Sequence, residues 1–248
     1  MKTVALTTVI LMCCFSALGQ KKGLDSFSHL DSLKIPVRNF CLPNSFIKFD
    51  PKSTTTYGTY LEINLDTPIN QAYSVGNDNI KLIKTKINSK DDKQYYISFG
   101  SIDGPSIGFT IFEAALPNKI IGQIQAISLI IPGNGSLYSI DRCWENYITK
   151  RKHSIVEGKI MEDKQPFYSV DIKSYALRPI EIYADATFKD KMATIPINGK
   201  IEIILCTGSN STSDIYLVRT SFGLLGWARL RAGQYQSVDV EGLFYNGD

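Results

Sequence analysis

The chain has 248 residues, of which 44% are hydrophobic, and its 27 basic and 24 acidic residues give a formal net charge of +3 at pH 7. This near balance of charge gives no reason to expect a nucleic-acid partner, which favours a strongly basic surface. The length is sufficient for one large β domain or for two domains of ordinary size.

The first residues have the pattern of an export signal. Lys2 supplies a positive charge, an apolar run follows from Val4 to Phe15, and Ala17-Leu18-Gly19 forms a small-x-small cleavage site. We therefore expect residues 1–19 to be a signal peptide and the mature protein to be secreted, either to the periplasm or to the cell exterior. Cleavage removes Lys2 and leaves about 229 residues.

Neither this apolar run nor any later segment predicts a transmembrane helix, which takes about 20 consecutive apolar residues. The mature chain is therefore expected to contain no integral membrane segment. A lipid-anchored form is the less favoured alternative, in which Cys13 or Cys14 becomes the first mature residue.

Three of the five cysteines remain after the signal peptide is removed, namely Cys41, Cys143 and Cys206. An odd number leaves at least one thiol unpaired or paired between molecules. Cys41 and Cys143 fall in one predicted domain, so an oxidising compartment permits a disulfide between them, although their spacing does not establish it. Cys206 ends a predicted strand and is interpreted as a small, half-buried side chain.

One short helix is expected early in the mature chain. Apolar residues recur every three positions from Lys21 to Lys34, and Pro36 ends the pattern. Elsewhere apolar and polar residues alternate, which is the pattern of strands with one buried face. The clearest examples are Leu61, Ile63 and Leu65; Tyr95, Ile97 and Phe99; and Ile107, Phe109 and Ile111.

Clusters of Gly, Asn, Asp and Pro separate these strands, as turns do. They lie at Gly76–Asn79, Asp103–Pro105 and Pro132–Gly135. Short strands between such turns predict an all-β chain whose N-terminal domain is an antiparallel β sandwich or a barrel-like fold. The isoleucine-rich run from Ile120 to Ile131 is expected to be one central strand, with a buried helix as the alternative.

The end of the first domain is also marked by turn chemistry. Glu157-Gly158 predicts a hairpin with Gly in the left-handed conformation, and Pro166 opens a further strand that reaches Ile172. We place the domain boundary between Ser174 and Pro179. The mature chain is thus divided into an N-terminal β domain, residues 20–174, and a C-terminal domain, residues 175–248.

The C-terminal domain has the pattern of a small β barrel. Five short strands are predicted within about 55 residues, a number that suits a barrel because closure removes exposed sheet edges. Phe222-Gly223 is the predicted reversal between the last two. The strands are centred on Ile180 and Ile182, on Ile195, on Ile201 to Leu205, on Tyr216 to Thr220, and on Trp227 to Leu230.

This region resembles the bacterial SH3 (SH3b) domain family. Ile195-Pro196-Ile197-Asn198-Gly199 is similar to its Leu-Pro-x-Gly step. Val218-Arg219-Thr220, followed by Gly223, Gly226 and Trp227, is similar to its Val-Arg-Thr-x-x-Gly-x-x-Gly-Trp-Val step, with Ala228 in place of the last Val. Ile215 occupies the place where many members carry Trp. The resemblance covers about a quarter of the chain and implies an SH3-like barrel that binds peptidoglycan stems, short peptides or partner domains.

Aromatic residues near the predicted loops are the candidate binding residues. Tyr183, Tyr216 and Phe222 offer flat amphipathic surfaces and are the first candidates for ligand contact. Trp227 is a fourth candidate, although the favoured interpretation of Gly226-Trp227 is that Gly permits a tight turn while Trp caps the barrel core.

An enzyme site receives less support from the sequence. SH3b domains often accompany cell-wall hydrolases, and Cys143 with His153 is the candidate Cys-His pair of a peptidase, but no predicted helix is placed to activate the thiol. A glycosidase needs two carboxylates that only the fold brings together. His153 and His29 are the only histidines, and the scattered cysteines offer no zinc-ligand spacing, so neither a metal nor another cofactor is predicted.

These patterns favour an exported, non-enzymatic binding or interaction protein of the bacterial cell envelope. Its expected partner is a cell-wall glycopeptide or an envelope protein. The alternatives are a cell-wall hydrolase with its site in the N-terminal domain, and an assembly subunit in which both domains contact other proteins.

Overall fold

The computed structural model describes residues 27–35, 45–57, 82–103, 106–141, 149–207, 215–233 and 236–243. All seventeen regular elements in these ranges are β-strands, and the described residues contain no helix. The predicted all-β class is therefore confirmed. None of the described residues form a helix with the length and apolar character needed to cross a membrane.

The strands form three sheets, with the orders β1-β2-β8-β9-β10-β11, β3-β4-β5-β6-β7 and β12-β15-β16-β17-β13-β14. In chain order they are β1 (Asp31–Lys34), β2 (Phe46–Phe49), β3 (Thr54–Tyr57), β4 (Leu82–Thr85), β5 (Tyr95–Asp103), β6 (Ser106–Glu113), β7 (Leu116–Gln125), β8 (Ser128–Ile131), β9 (Ser136–Asp141), β10 (Thr149–Val156), β11 (Lys159–Asp163), β12 (Tyr168–Tyr175), β13 (Ile180–Tyr183), β14 (Lys191–Ile195), β15 (Lys200–Cys206), β16 (Ile215–Thr220) and β17 (Leu225–Arg229).

The first two of these sheets share one apolar core. Ile47 and Leu129 reach it from the first sheet, while Ile97, Phe109 and Ile111 reach it from the second. Strands of both sheets thus bury side chains in the same core. The period of two predicted for β5 and β6 is found in the structure, because the alternating apolar residues face this core: Tyr95, Ile97 and Phe99 in β5, and Ile107, Phe109 and Ile111 in β6.

The first sheet contains one parallel pair, formed by β2 and β8, among antiparallel neighbours. Ile47 is opposite Leu129 in this pair. A parallel pair needs a long crossover, and here the chain between the two strands contains the whole of the second sheet. Turn signals in the sequence indicate only antiparallel reversals, so this pair was not predicted.

The helix predicted from Lys21 to Lys34 is wrong where the structure describes it. Residues 27–29 form a turn and Asp31–Lys34 forms β1, which pairs with β2. Leu33 packs against the shared core from this strand. Pairing with β2 satisfies the backbone groups that a helix would satisfy internally, so tertiary context overrides the three-residue spacing.

The run from Ile120 to Ile131 is also not one central strand, nor a helix. Ile121 and Ile124 lie in β7, at the edge of the second sheet, whereas Leu129 lies in β8, inside the first. Residues 126 and 127 carry the chain from one sheet to the other. The run is rich in apolar residues because both of its strands, and Ala126 in the connection, bury side chains in the shared core.

The predicted hairpin at Glu157-Gly158 is confirmed. It joins β10 to β11, and both turn residues have positive φ, 51° and 75°. Two such residues match the right-handed twist of the flanking strands.

The C-terminal sheet begins at Tyr168, upstream of the predicted boundary between residues 174 and 175. Because β12 pairs with β15, residues 168–174 form part of the C-terminal sheet. All six strands contribute side chains to, or pack against, one core, from Tyr168 in β12 to Ile195 in β14. A single sheet that encloses one core must curl, and the amide of Ala176 accordingly donates to the carbonyl of Gly199 at 2.9 Å, linking β12 to the turn after β14.

Several predicted features lie outside the described residues. They are the signal peptide, the strand at Leu61 to Leu65, the turn at Gly76–Asn79, Cys41 and Cys143. Cys206 is described, and its thiol is buried in the core of the C-terminal sheet.

Strand β7 lies directly against β11 at Gly122. A Cβ at position 122 would be only 2.5 Å from Cβ of Ile160. Because Cβ of Ile160 is fixed to the backbone, the two strands would have to separate to admit a side chain at residue 122. Glycine therefore permits the edge strands of the two sheets to make contact.

We expect Gly122→Ala to lower the free energy of unfolding by about 1–3 kcal/mol, the usual cost of overpacking a closely packed site. Urea unfolding of the purified protein measures this change. Gly100→Ala is the matched control, because a Cβ at Gly100 meets nothing within 4 Å. Equal stability of the two variants would contradict the close contact of β7 with β11.

Candidate functional site

Strand β17 divides its side chains between the core and the outer face of the C-terminal sheet. Ala228 lies in the core, whereas Trp227 is half-buried and outside the core cluster. Gly226 also faces inward, where a Cβ would lie 2.4 Å from Cγ2 of Ile182 and 2.7 Å from the carbonyl oxygen of Tyr183. Glycine is required there by the close approach of β13.

The predicted roles of Gly226 and Trp227 are therefore corrected. Gly226 lies within a strand, and the turn before it uses Gly223, whose φ is 93°. Trp227 does not cap the core, because the alternation of β17 directs its ring to the outer face of the sheet. There it contacts the ring of Phe167, with the two centroids 5.8 Å apart.

The candidate aromatic residues are not all in one place. Tyr183 lies directly opposite Trp227 in the register of β13 and β17, so these two are neighbours. Tyr216 is 0% exposed and belongs to the core, so it is not available to a ligand and is no longer a candidate. Phe222 is 95% exposed at the reversal between β16 and β17, at the far end of that hairpin from Arg229.

Tyr183 lines a groove of about 580 Å³ on the C-terminal sheet. Other lining residues are Phe188, from the loop between β13 and β14, and Arg229, from the end of β17. The rings of Tyr183 and Phe188 meet edge to face, with centroids 5.4 Å apart, and the guanidinium carbon of Arg229 is 4.8 Å from the centre of the Phe188 ring. Two aromatic rings and an arginine thus form one surface, which we call the aromatic groove.

The loop that carries Phe188 is held by Asp185. The Asp185 carboxylate accepts hydrogen bonds from the amide and the hydroxyl of Thr187, at 2.8 and 2.5 Å. These bonds hold the pKa of Asp185 below its usual range. The amide of Ala184 donates to the carbonyl of Asp190, which closes the base of the loop.

Phe188 itself has a φ of 58°. Left-handed backbone is uncommon for a residue other than glycine, and for a bulky side chain it costs about 1–3 kcal/mol. The cost is borne at the point where the ring of Phe188 lies beneath Arg229 and against Tyr183. Strained backbone therefore coincides with the aromatic groove.

Glu181 and its partners form the first charged pair of the groove. Glu181 accepts hydrogen bonds from Lys191, at 2.6 Å, and from the hydroxyl of Tyr183, at 2.5 Å. The bond from Lys191, and secondarily that from Tyr183, lowers the pKa of Glu181. Donation to this carboxylate raises the pKa of Tyr183, so its phenol stays protonated at neutral pH.

Arg231 and Asp239 form the second pair. The guanidinium donates to both carboxylate oxygens at distances of 2.5 to 3.2 Å, and the amide of Arg231 donates at 2.6 Å. Burial of Asp239 opposes its ionisation, but the hydrogen bonds from Arg231 outweigh burial and hold the pKa of Asp239 below its usual value. Both carboxylates of the groove are thus ionised and engaged by cations.

This arrangement suits binding rather than proton transfer. A general acid needs a carboxyl that stays protonated near neutral pH, and both carboxylates of the groove are shifted in the opposite direction. Aromatic faces and arginine donors recognise flat rings and carboxylates. Across the described ranges, no three His, Cys, Asp or Glu side chains are placed to hold a metal ion.

His153, the candidate base of a peptidase, lies on β10 in the first sheet. Its Nε2 is 2.8 Å from the hydroxyl of Ser139 on the neighbouring strand, and both side chains are buried. Burial, followed by the positive charge of Arg151, lowers the pKa of His153 to about 4, although Asp163 acts in the opposite direction. A buried and neutral ring within hydrogen-bonding distance of serine is a structural element of the sheet. Cys143 lies outside the described residues, so its distance from His153 is not defined.

Phe188 and Arg229 are not among the residues predicted from the sequence. A local signal for the loop does exist, since Asp185-Ala186-Thr187 is the pattern of an Asx turn. It indicates an ordered loop but does not indicate that Phe188 turns back onto β13 and β17. Strand register determines that contact, and register is a tertiary property.

Comparison with known proteins does not place the chain in a family. No protein-family model matches it, and no curated protein or solved structure does so.

The lowered pKa of His153 predicts a pH dependence of stability. Between the ordinary value of 6.5 and about 4, the unfolded chain binds a proton that the folded chain does not. The free energy of unfolding therefore falls as pH is lowered through this window, by at most about 3 kcal/mol from this group. Urea unfolding at several pH values, for wild type and for His153→Gln, measures the effect.

Glutamine can still hydrogen-bond Ser139 but does not titrate, so His153→Gln should have a shallower loss of stability between pH 6.5 and 4. Carboxylates that do not interact with His153 contribute equally to both proteins and cancel in the comparison, whereas the coupling of Asp163 to His153 is removed together with the imidazole. His29→Gln, at an exposed position in a turn, is the matched control for the loss of one histidine. Parallel curves for wild type and His153→Gln would show that His153 titrates normally in the folded protein.

Proposed function

We propose that this chain is an exported, non-enzymatic binding protein of the bacterial cell envelope, whose C-terminal sheet forms an SH3-like barrel. Its ligand is a cell-wall glycopeptide, held in the aromatic groove. The aromatic groove carries this proposal, because two rings and an arginine converge in a concavity of about 580 Å³. The apolar run and cleavage pattern of residues 1–19 support export.

The chemistry of the groove fits the two parts of such a ligand. Sugar rings present flat apolar faces that pack on aromatic side chains, as Tyr183 and Phe188 offer. Stem peptides carry carboxylates, which the guanidinium of an exposed groove residue such as Arg229 recognises. Arg231 is already engaged by Asp239, so in this proposal it maintains the wall of the groove.

The strained backbone of Phe188 supports a binding role for its ring. A left-handed phenylalanine is strained at its φ of 58°, where glycine would not be, and the contacts of its ring with Tyr183 and Arg229 offset that strain. The strained backbone directs this ring into the aromatic groove, where a ligand can contact it. Strain of this kind is typical of ligand-binding loops.

The competing hydrolase hypothesis has less support within the described residues. His153 is buried and largely neutral, and the carboxylates of the aromatic groove are fixed by cations. One experiment with purified peptidoglycan tests both hypotheses, because peptidoglycan is the expected ligand of a binding protein and the substrate of a hydrolase.

We expect Phe188→Gly to weaken retention of the mature protein on insoluble peptidoglycan by roughly tenfold, the loss typical of a central aromatic contact. Stability should stay within about 1 kcal/mol of wild type, because relief of left-handed strain offsets the lost ring contacts. Co-sedimentation at graded peptidoglycan concentrations gives the affinity, and urea unfolding gives the stability. Arg229→Ala should lower retention in the same way.

Tyr96→Ala is the matched control for this experiment. Lys84 Nζ lies 5.6 Å from the centre of the Tyr96 ring in the second sheet, so the variant removes a similar cation-covered ring far from the groove in sequence. It should be retained as wild type is. Equal retention of all variants would exclude the aromatic groove as the site, and absence of retention for wild type would exclude the glycopeptide.

If the wild-type protein releases soluble muropeptides over time and Cys143→Ala does not, the hydrolase hypothesis is supported and the binding proposal is rejected.

A further inference from the structure

One end of the C-terminal sheet exposes three large apolar side chains that the aromatic groove does not use. Phe222 is 95% exposed at the tip of the reversal between β16 and β17, and Leu225, where β17 begins, is 46% exposed. Tyr175, the last residue of β12, is 45% exposed. We call this set the apolar end of the sheet.

A second groove, of about 550 Å³, joins these residues. Its lining includes Tyr175 together with Ser221 and Gly223, which are the neighbours of Phe222 on either side. Register places Leu225 opposite Arg219, another lining residue. Tyr175 therefore lines this polar depression, while Phe222 and Leu225 adjoin residues that line it.

The charged side chains of this second groove are mainly cations. Lys173, Lys200 and Arg219 line it, against one lining carboxylate, Glu202. Glu202 lies between Arg219, at 2.9 Å, and Lys173, at 3.9 Å, and so balances at most part of their charge. Within the described part of the chain, Lys200 forms no ion pair. Glu241, bound through its backbone to Tyr175, lies outside the lining.

From this combination we infer that the apolar end docks on a lipid surface with anionic headgroups. Phe222 and Leu225 enter the boundary of the acyl chains, and Lys173, Lys200 and Arg219 lie among the headgroups. Charge complementarity favours an anionic surface, because each cation near such a surface strengthens the attraction. An exposed apolar tip combined with cations provides the two weak signals that stable peripheral binding needs.

The shape of the apolar end favours lipid over a folded partner. A side chain that is 95% exposed protrudes from its own protein. A protein partner must offer a matching pocket to bury it, whereas a bilayer deforms around any protruding ring. The inference is independent of the aromatic groove, because Phe222, Leu225 and Tyr175 are not among the residues that line it.

Co-sedimentation with vesicles tests the inference. Mature protein should bind vesicles of phosphatidylcholine that contain phosphatidylglycerol, bind vesicles of phosphatidylcholine alone much more weakly, and dissociate as salt is raised. Phe222→Ala should lower the partition coefficient on anionic vesicles roughly tenfold, through loss of the inserted ring. Lys200→Ala should lower it roughly fivefold on anionic vesicles and leave neutral vesicles unaffected.

A pair of leucines provides the matched control. Leu225→Ala should weaken vesicle binding, whereas Leu116→Ala, at 54% exposure on the edge strand β7, should not. All of these variants alter exposed side chains, so each is expected to fold, and urea unfolding verifies it.

A single-tryptophan reporter locates the inserted residue. In this reporter, Trp144 and Trp227 are replaced by Phe and Phe222 is replaced by Trp. The fluorescence emission of the new tryptophan should shift to the blue on anionic vesicles, because its ring leaves water. Unchanged emission and unchanged binding of Phe222→Ala would overturn the inference. A second result would also overturn the inference: no vesicle binds the protein, and the protein forms a concentration-dependent dimer that Phe222→Ala abolishes. The apolar end would then bind a second copy of the chain. Loss of peptidoglycan retention with intact vesicle binding would reject only the groove proposal.

Discussion

The contact between strands β13 and β17 at Gly226 is the constraint on which the candidate site depends. Because a Cβ there would lie 2.7 Å from the carbonyl oxygen of Tyr183, only glycine permits the two strands to pair at this distance. Pairing brings Tyr183 opposite Trp227, and alternation along β17 then places Arg229 on the same outer face. The position of Phe188 follows, since its ring packs against Tyr183 and beneath Arg229.

The same strand also relates the two proposed binding surfaces. Leu225 begins β17 beside the second groove, and Arg229 ends it in the aromatic groove. The surfaces differ in how their charges are held. Carboxylates engage Arg231 and Lys191 around the aromatic groove, which leaves a structured site for a specific ligand. Cations outnumber the lining carboxylate at the other end, which suits a diffuse anionic surface.

Local sequence patterns predicted much of the secondary structure. Alternation identified β5 and β6, and a glycine turn identified the hairpin at Glu157-Gly158, because both signals depend on neighbouring residues alone. Where burial comes from distant strands, the same patterns were insufficient. Lys21 to Lys34 has a three-residue spacing but pairs with β2 where described, and the apolar run from Ile120 to Ile131 is shared by two sheets.

What the amino-acid sequence determined by itself was the all-β class, most of the strands in the C-terminal sheet, and one groove residue, Tyr183. Tertiary structure decided which aromatic rings are exposed. Tyr216 and Trp227 are both strand aromatics in sequence, yet Tyr216 is in the core and Trp227 is on the surface. A period of two defines two faces of a strand but does not state which face is buried, since that depends on the strands it pairs with and on the curl of the whole sheet.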